Sequence, residues 1–349
     1  NNMILYKKDS KDKIRFVEIY PEGDKVVQKH GILDGAIVYN ESKCIGKNIG
    51  KSNETTPERQ AELEAQSKLL KKLDEGYYKT IDEANNETVV LPMLAKDFKE
   101  EVHKVSYPVY VQPKYDGMRC LKQKNILKSR KNKEIDTMPH IMDTLAHLNE
   151  VLDGELYAHG LSFQENMKLI KKYTPNESEK VKYIVYDLVD TSLVFEDRYK
   201  LLKSIIENNE SEHIELSPTY IVNNTDELNE IHSKFLSEGY EGTIVRIPYG
   251  KYEINKRSST LLKYKDFKDI ACEIIDVIPS EKRPTHGIFV CEHNGVTFGC
   301  GMKFPHKFRE EVLINKEDYI GSIAEIRFFE YTDDGAPRFP VCVGIRLDI

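Results

Sequence analysis

The stretch VYVQPKYDGMRC, residues 109–120, places a lysine, an aspartate, a glycine and an arginine directly after an apolar alternation. Val109 and Val111 alternate with Tyr110 and Gln112, the two-residue period of a strand. Pro113 has no N–H to donate to a ladder, so the spacing predicts that the strand stops there. Lys114 then stands just past a strand end, where functional side chains are commonly presented. Asp116-Gly117 reads as a tight turn, and Met118 begins a second apolar run. Lysine amines ordinarily titrate near 10.4, so an amine used as a nucleophile needs cations around it to drive off its proton. Taken alone, the stretch is more simply a hairpin turn with incidental charge.

Four further stretches follow in order, each at a strand boundary: LDGELY at 152–157, YIVYDL at 183–188, EGTIVR at 241–246 and LLKYK at 261–265. Each has a plain reading. Glu155 serves equally as a rim acid and Tyr186 as core. Lys263 and Lys265 share one face of a strand, which suits a solvated basic surface as well as a phosphate site. Their joint order is far more specific than any one of them.

The chain around them bounds what they can belong to. It has 349 residues, 40% hydrophobic and 31% charged. At roughly 100–200 residues per domain, two or three domains are expected. No apolar run approaches the roughly 20 residues that span a bilayer, and no charged-then-apolar leader opens the chain. Met3 reads as the natural start. Six cysteines, Cys44, Cys120, Cys272, Cys291, Cys300 and Cys342, are scattered without a C-x-x-C pair. That spacing argues against zinc and against a disulfide framework, and for a reducing interior, cytoplasmic or nuclear.

Net charge is −7, which taken whole argues mildly against a polyanion partner. Binding responds to local potential, however. Residues 250–268 carry six Lys or Arg against two acids, and the first 80 residues carry 15 basic against 13 acidic.

The elements that must position these residues can be read in outline. Residues 3–80 read as a small α+β unit, with strand-like runs at its start and a helix within TTPERQAELEAQSKLLKKLDEGYYKT. Thr55 and Glu58 predict a capping box, Gly76 a stop, and Leu63, Leu69, Leu70 and Leu73 the apolar stripe. Residues 81–92 read as a linker or extended crossing. Over 93–268 strands and helices alternate. Amphipathic HIMDTLAHLNEV puts Ile141, Leu145 and Leu148 on one side, and FEDRYKLLKSIIEN and DELNEIHSKFLSEG are helices. Residues 269–349 break into short strands separated by Gly, Asn and Asp turns, the pattern of a small barrel or sandwich.

These five stretches in this order resemble the nucleotidyltransferase motifs of ATP-dependent DNA ligases and of their relatives, the RNA ligases and mRNA capping enzymes. The resemblance covers residues 93–349. LPMLA at 91–95, YEINKRSSTLLKYKDF at 252–267 and SRKNKEI at 129–135 are similar to the DNA ligase branch. It implies an α+β chain: an adenylation (nucleotidyltransferase, ATP-grasp-like) domain followed by an OB-fold barrel, with the small α+β domain in front. It implies further that Lys114 attacks the α-phosphorus of ATP and carries AMP as a phosphoramidate. Gln112 then corresponds to the adenine contact and Tyr186 to the aromatic stacked on the base. Glu155 corresponds to the acid at ribose and metal, and Glu241 to the metal-binding acid, with Mg²⁺ completed by phosphate oxygens. Arg119, Arg246, Lys263 and Lys265 correspond to the phosphate and AMP contacts. Arg130 corresponds to the arginine near the nick 5′-phosphate, and Arg257 falls within the DNA-ligase-like stretch as a DNA contact. The implied partner is nicked duplex DNA, handled by a monomer without a membrane. The compact chain leans towards a viral or phage form, at work in host cytoplasm.

The last segment, RFPVCVGIRLDI, is similar to the family's final motif but poorer in basic residues. Val341, Gly344 and Ile349 stand where basic residues are usual, while Arg338, Arg346 and Asp348 remain. The N-terminal stretch QKHGILDGAIVYNESKCIGKNIGKSN resembles a WGR domain, with His30-Gly31 in place of the naming tryptophan. That resemblance implies phosphate contacts from Lys43, Lys47 and Lys51, sequence-blind and salt-dependent. The alternatives are RNA joining, RNA capping through GTP, and a module that grips nicks without chemistry.

Overall fold

The computed structural model describes residues 2–9, 11–86 and 90–346, so Asp348 and Ile349 lie outside the described residues. The chain divides into two compact units. The first takes Asn1–Leu91, Leu121–Asp136 and Met142–Val151; the second takes Pro92–Cys120, Thr137–Ile141 and Leu152–Ile349.

In the first unit, β1 (Ile4–Lys8), β2 (Ile14–Glu22), β3 (Lys25–Ile32) and β4 (Ile37–Lys43) form an antiparallel sheet in chain order. Alternation buries Leu5, Val17, Ile19 and Val26 on one face, where α1 (Pro57–Asp74) covers them with Ala61 and Ala65. Leu69 and Leu73 extend that contact, but Leu70 is 55% exposed. The helical stripe is therefore carried by alanines, which let helix and sheet approach closely. The helix cap differs from expectation by one residue. Thr56 accepts from the Arg59 N–H, while Thr55 instead donates to Gln60 and accepts from the Lys47 N–H. Gly76 ends the helix as expected, with φ +94°. Residues 81–92 are not simply an extended crossing: they open with α2 (Ile81–Asn85), capped by Thr80.

The remaining elements begin with β5 (Leu94–Asp97), α3 (Phe98–Glu101), β6 (Val109–Lys114), β7 (Met118–Gln123), β8 (Ile126–Lys128), α4 (Pro139–Leu145) and β9 (Leu152–Tyr157). There follow α5 (Phe163–Lys171), β10 (Lys182–Leu188), α6 (Phe195–Glu207), β11 (Ile214–Leu216), β12 (Tyr220–Val222) and α7 (Thr225–Ser237). Next come β13 (Gly242–Arg246) and β14 (Arg257–Tyr264). They make two five-stranded sheets, ordered β11-β10-β9-β7-β8 and β12-β6-β13-β14-β5. Val109, Val111, Val245 and Leu262 bury one face of the second sheet with Leu228 of α7.

Pro113 does not end β6. The strand runs on to Lys114, with Thr243 opposite Pro113 and Gly242 opposite Lys114. Pairing with β12 stops at Val111, so Pro113 has a neighbour on one side only, and its missing N–H deprives no second strand. α5 owes its start to a capping box between Ser162 and Glu165.

The C-terminal strands close into a barrel, β15-β16-β17-β19-β18, from β15 (Lys268–Pro279), β16 (Gly287–His293), β17 (Val296–Met302), β18 (Ile323–Phe328) and β19 (Val341–Arg346). Cys272, Ile274, Phe289, Cys291, Ile326 and Phe328 fill it. α8 (His306–Ile314), which strand spacing alone does not announce, covers one side through Val312.

Candidate active site

Register gathers the basic and amide side chains. In an antiparallel pair, directly opposed residues point to the same face. Lys114 opposes Gly242, Gln112 opposes Ile244, and Tyr110 opposes Arg246. Across the next ladder Ile244 opposes Lys263 and Arg246 opposes Leu261. Gln112, Lys114, Arg246 and Lys263 therefore share the face opposite the valine core, and Lys265 follows two residues after Lys263.

At the end of this face Glu241 receives two ammonium groups. Lys114 Nζ donates to its Oε2 at 2.9 Å, and Lys265 pairs with its Oε1. Burial pushes the Glu241 carboxyl up, but the charges and hydrogen bonds of Lys114 and Lys265 outweigh it and hold it below the usual carboxylate range. The amine is thus held in place directly by Glu241, which the resemblance implied as a metal-binding acid. Asp116, in the bend after Lys114, is pushed up by burial and by the Glu241 charge, against the pull of Lys303, Lys114 and Lys265.

The other sheet supplies the second carboxylate. Glu155 on β9 is buried enough to raise its carboxyl to about 7, despite the opposing charges of Arg119 and Lys114. The Tyr186 hydroxyl donates to Glu155 Oε1 at 3.0 Å, and the Gly117 N–H donates to Oε2 at 3.2 Å. Gly117 has no substitute here, since a Cβ on it would lie 2.3 Å from the Leu156 carbonyl oxygen. The turn glycine thus brings its N–H onto the carboxylate.

Three residues expected to meet nucleotide are already engaged within the protein. Arg119 forms a two-pronged pair with Asp153, at 2.8 and 2.7 Å, and donates to the Met93 carbonyl oxygen at 2.8 Å. Arg246, 2% exposed, donates to Gln112 Oε1 at 2.7 Å and to Asp187 Oδ2 at 2.6 Å. Gln112 passes the link on, its amide donating to the Tyr186 carbonyl oxygen and to Thr219, both at 3.0 Å. Both guanidinium groups lie against the Tyr186 ring, 5.6 Å from Arg119 and 5.4 Å from Arg246. These residues act first as braces that set the tyrosine and the two strands. Of the expected phosphate cations, Lys265 is held by Glu241, while the Lys263 ammonium forms no such pair among the described residues.

The brace depends on residues that motif reading passed over. Asp153 also accepts from the Tyr252 hydroxyl at 2.7 Å, and Asp187 also accepts from Arg198 at 2.8 and 3.2 Å. Asp153 was within reach of the sequence, being two residues before Glu155 and so on its strand face. Asp187 was less so, because a register shift between Val185 and Asp187 breaks the alternation on β10.

The expected DNA contacts are open to solvent. Lys43 is 74% and Lys47 57% exposed, in long pairs of 3.6 Å with Asp24 and 3.8 Å with Glu64. Lys51 and Arg130 are exposed, Arg130 in the turn after β8. Arg257, at the start of β14, donates to the Ala95 carbonyl oxygen at 3.0 Å. No cluster of three or more His, Cys, Asp or Glu suited to a metal ion occurs among the described residues, and none of their helices is long and apolar enough to cross a membrane.

Comparison with known proteins finds two matching families. Residues 92–265 match the ATP dependent DNA ligase domain family, and residues 284–346 match the DNA ligase OB-like domain family. The DNA ligase of African swine fever virus (strain Badajoz 1971 Vero-adapted) is 28% identical over 301 residues, 77% of this chain and 68% of its own length. That of the Tick/South Africa/Pretoriuskop isolate is 30% identical over 278 residues, 71% of this chain and 63% of its own. The crystal structure of Chlorella virus DNA ligase-adenylate is 30% identical, with a TM-score of 0.61, and is matched over all its length by 74% of this chain.

Proposed function

The chain belongs to the ATP-dependent DNA ligases, enzymes that use ATP to seal nicks in duplex DNA, and from that premise we propose how its own residues divide the reaction. Lys114 is the nucleophile. Its amine takes AMP from ATP, the AMP passes to the 5′-phosphate at a nick, and the 3′-hydroxyl displaces it. The observation that carries this reading is the Lys114 amine at a strand end, tied to a carboxylate that a second lysine shares. Glu241 aims the amine and must release it for attack. Lys265 remains as its counter-charge.

Lys263 and Lys265 stabilise charge developing on the phosphoryl oxygens. Arg119 and Arg246 act mainly through Asp153 and Asp187, keeping Tyr186 flat for the base and Gln112 at its edge. Glu155 and Glu241 suit Mg²⁺, a hard cation that takes few protein oxygens. A carboxyl that burial keeps near 7 is one that an adjacent cation would ionise, which supports Glu155 in that role. Bound there with phosphate oxygens, the ion would neutralise charge on the phosphates.

The N-terminal sheet with Lys43, Lys47 and Lys51, together with Arg130 and Arg257, contacts the duplex backbone. We take 3–80 as that WGR-like domain, 81–92 as its connection, 93–268 as the adenylation domain and 269–349 as the OB domain, working as a monomer in a reducing interior such as host cytoplasm. The named relatives favour DNA joining over RNA joining, capping or mere nick binding. The test is incubation with labelled ATP and Mg²⁺, followed by challenge with nicked DNA and nicked RNA duplexes. A covalent AMP adduct discharged by nicked DNA is expected. Discharge by RNA alone, a GMP adduct, or no adduct would sink the reading.

A further inference from the structure

One cation reaches the cleft from the barrel. Lys303 follows β17, and its N–H donates to the Cys342 carbonyl oxygen on β19 at 2.9 Å. It is therefore the immediate neighbour of the strand whose expected basic positions are Val341 and Gly344. Its side chain leaves the barrel. A Cβ on Gly239, two residues before Glu241, would lie 3.5 Å from Lys303 Cγ. Its charge acts on Asp116, two residues after Lys114, and on Glu241, which holds the Lys114 amine. Among the described residues its ammonium forms no salt bridge and no side-chain hydrogen bond. Burial pushes that amine below the ordinary lysine range. A half-buried cation without a carboxylate at contact distance, beside a nucleophile for phosphorus, is suited to a phosphate.

We propose that Lys303 is a phosphate contact for the first step of the reaction, holding the pyrophosphate portion of ATP and standing in for the basic residues absent from the final strand. The proposal rests on Lys114 being the nucleophile. In that step the Lys114 amine forms an N–P bond to the α-phosphorus and loses a proton to water. The bond from that phosphorus to its bridging oxygen breaks, and its electron pair leaves on pyrophosphate. Lys114 and Lys265 already bracket Glu241, next to the attacked phosphorus. Lys303, nearer in charge to Asp116, is a further cation, besides Lys263, for the group whose negative charge grows as the bond breaks.

The later steps need no pyrophosphate, and that separates the role from a structural one. Lys303→Gln and Lys303→Arg are compared with the unaltered protein in two assays. One follows labelled AMP uptake against ATP concentration; the other follows sealing of a duplex already carrying 5′-adenylate at its nick. Lys303→Gln is expected to lower AMP uptake at limiting ATP by about a hundredfold. Sealing of the pre-adenylated nick should stay within about twofold, since an interaction made only in one step matters only there. Lys303→Arg should restore most of the uptake. Equal losses in both assays, or no loss in uptake, would overturn the proposal. Failure of the unaltered protein to take up AMP would instead overturn the assignment of Lys114, and this inference with it.

Discussion

The cleft around Lys114 and the N-terminal sheet both present lysines beside apolar strands, yet they treat charge in opposite ways. In the cleft, buried and half-buried carboxylates hold the cations. Asp187, fully buried, takes both Arg198 and Arg246, and Glu241 takes Lys114 and Lys265. In the N-terminal sheet, β4 is exposed at all seven positions, and the lysines at and after its end stand in water. Buried pairs place atoms, because breaking one leaves an uncompensated charge. Exposed lysines set a potential, because water and salt screen each pair and only their sum matters. The contrast suits one surface to position a reacting phosphorus and the other to follow a backbone of any sequence.

Substitutions can break that contrast, beginning with its sharpest point. Lys114→Ala should abolish the covalent AMP adduct while leaving the melting temperature unchanged, as read by labelled ATP and calorimetry. The side chain is part-exposed at a strand end, so the core stays intact. Asp187→Asn removes the charge that two buried arginines share. Loss of one partner from a buried pair costs about 3–5 kcal/mol, so denaturant midpoints should fall steeply. If stability holds, the brace is not what sets the cleft.

The back of the same sheet offers a graded test through pH. His232 is fully buried, and burial holds its imidazole down at about 4, despite the Asp266 carbonyl oxygen that favours the charged form. Its Nε2–H donates to that oxygen at 2.7 Å, leaving Nδ1 to accept from the Thr243 hydroxyl at 2.7 Å. The folded state takes the proton less readily than the unfolded chain. Stability is therefore full above about pH 6.5 and is lost as pH falls towards 4, by about 3 kcal/mol. Folding titrations of His232→Gln should be flatter across that window; equal slopes would remove the buried imidazole from the account.

The smallest effect belongs to the exposed surface. Replacing Lys43, Lys47 and Lys51 together by alanine should weaken binding to nicked duplex. The slope of log affinity against log salt should become shallower by up to about 0.9 for each phosphate no longer neutralised. AMP uptake should not change. An unchanged salt slope would take these lysines off the DNA.

Much of the proposed catalytic set could be picked out in the sequence because it depends on short-range order. The strand period put Lys263 and Lys265 on one face, and Asp116-Gly117 read as the tight turn after Lys114. Other features were not. Thr56, not Thr55, caps α1, because the Thr55 hydroxyl is taken up by Gln60 and Lys47. Pro113 did not stop its strand, because the neighbouring strand had already ended. Arg119 and Arg246 read as ligand contacts, since a sequence shows cations without the buried acids that will meet them.

Residue order alone thus determined which side chains are available, which alternate onto a common face, and where chains of strands give way to a barrel, because these follow from backbone periodicity and side-chain chemistry within a few residues. Tertiary structure decided which charges meet. Lys114 and Glu241 are 127 positions apart, and Arg246 and Gln112 are 134 apart. Whether a cation braces a strand, aims an amine or waits for a phosphate depends on the burial and partners it finds at the end of such a separation, and no local pattern carries that information.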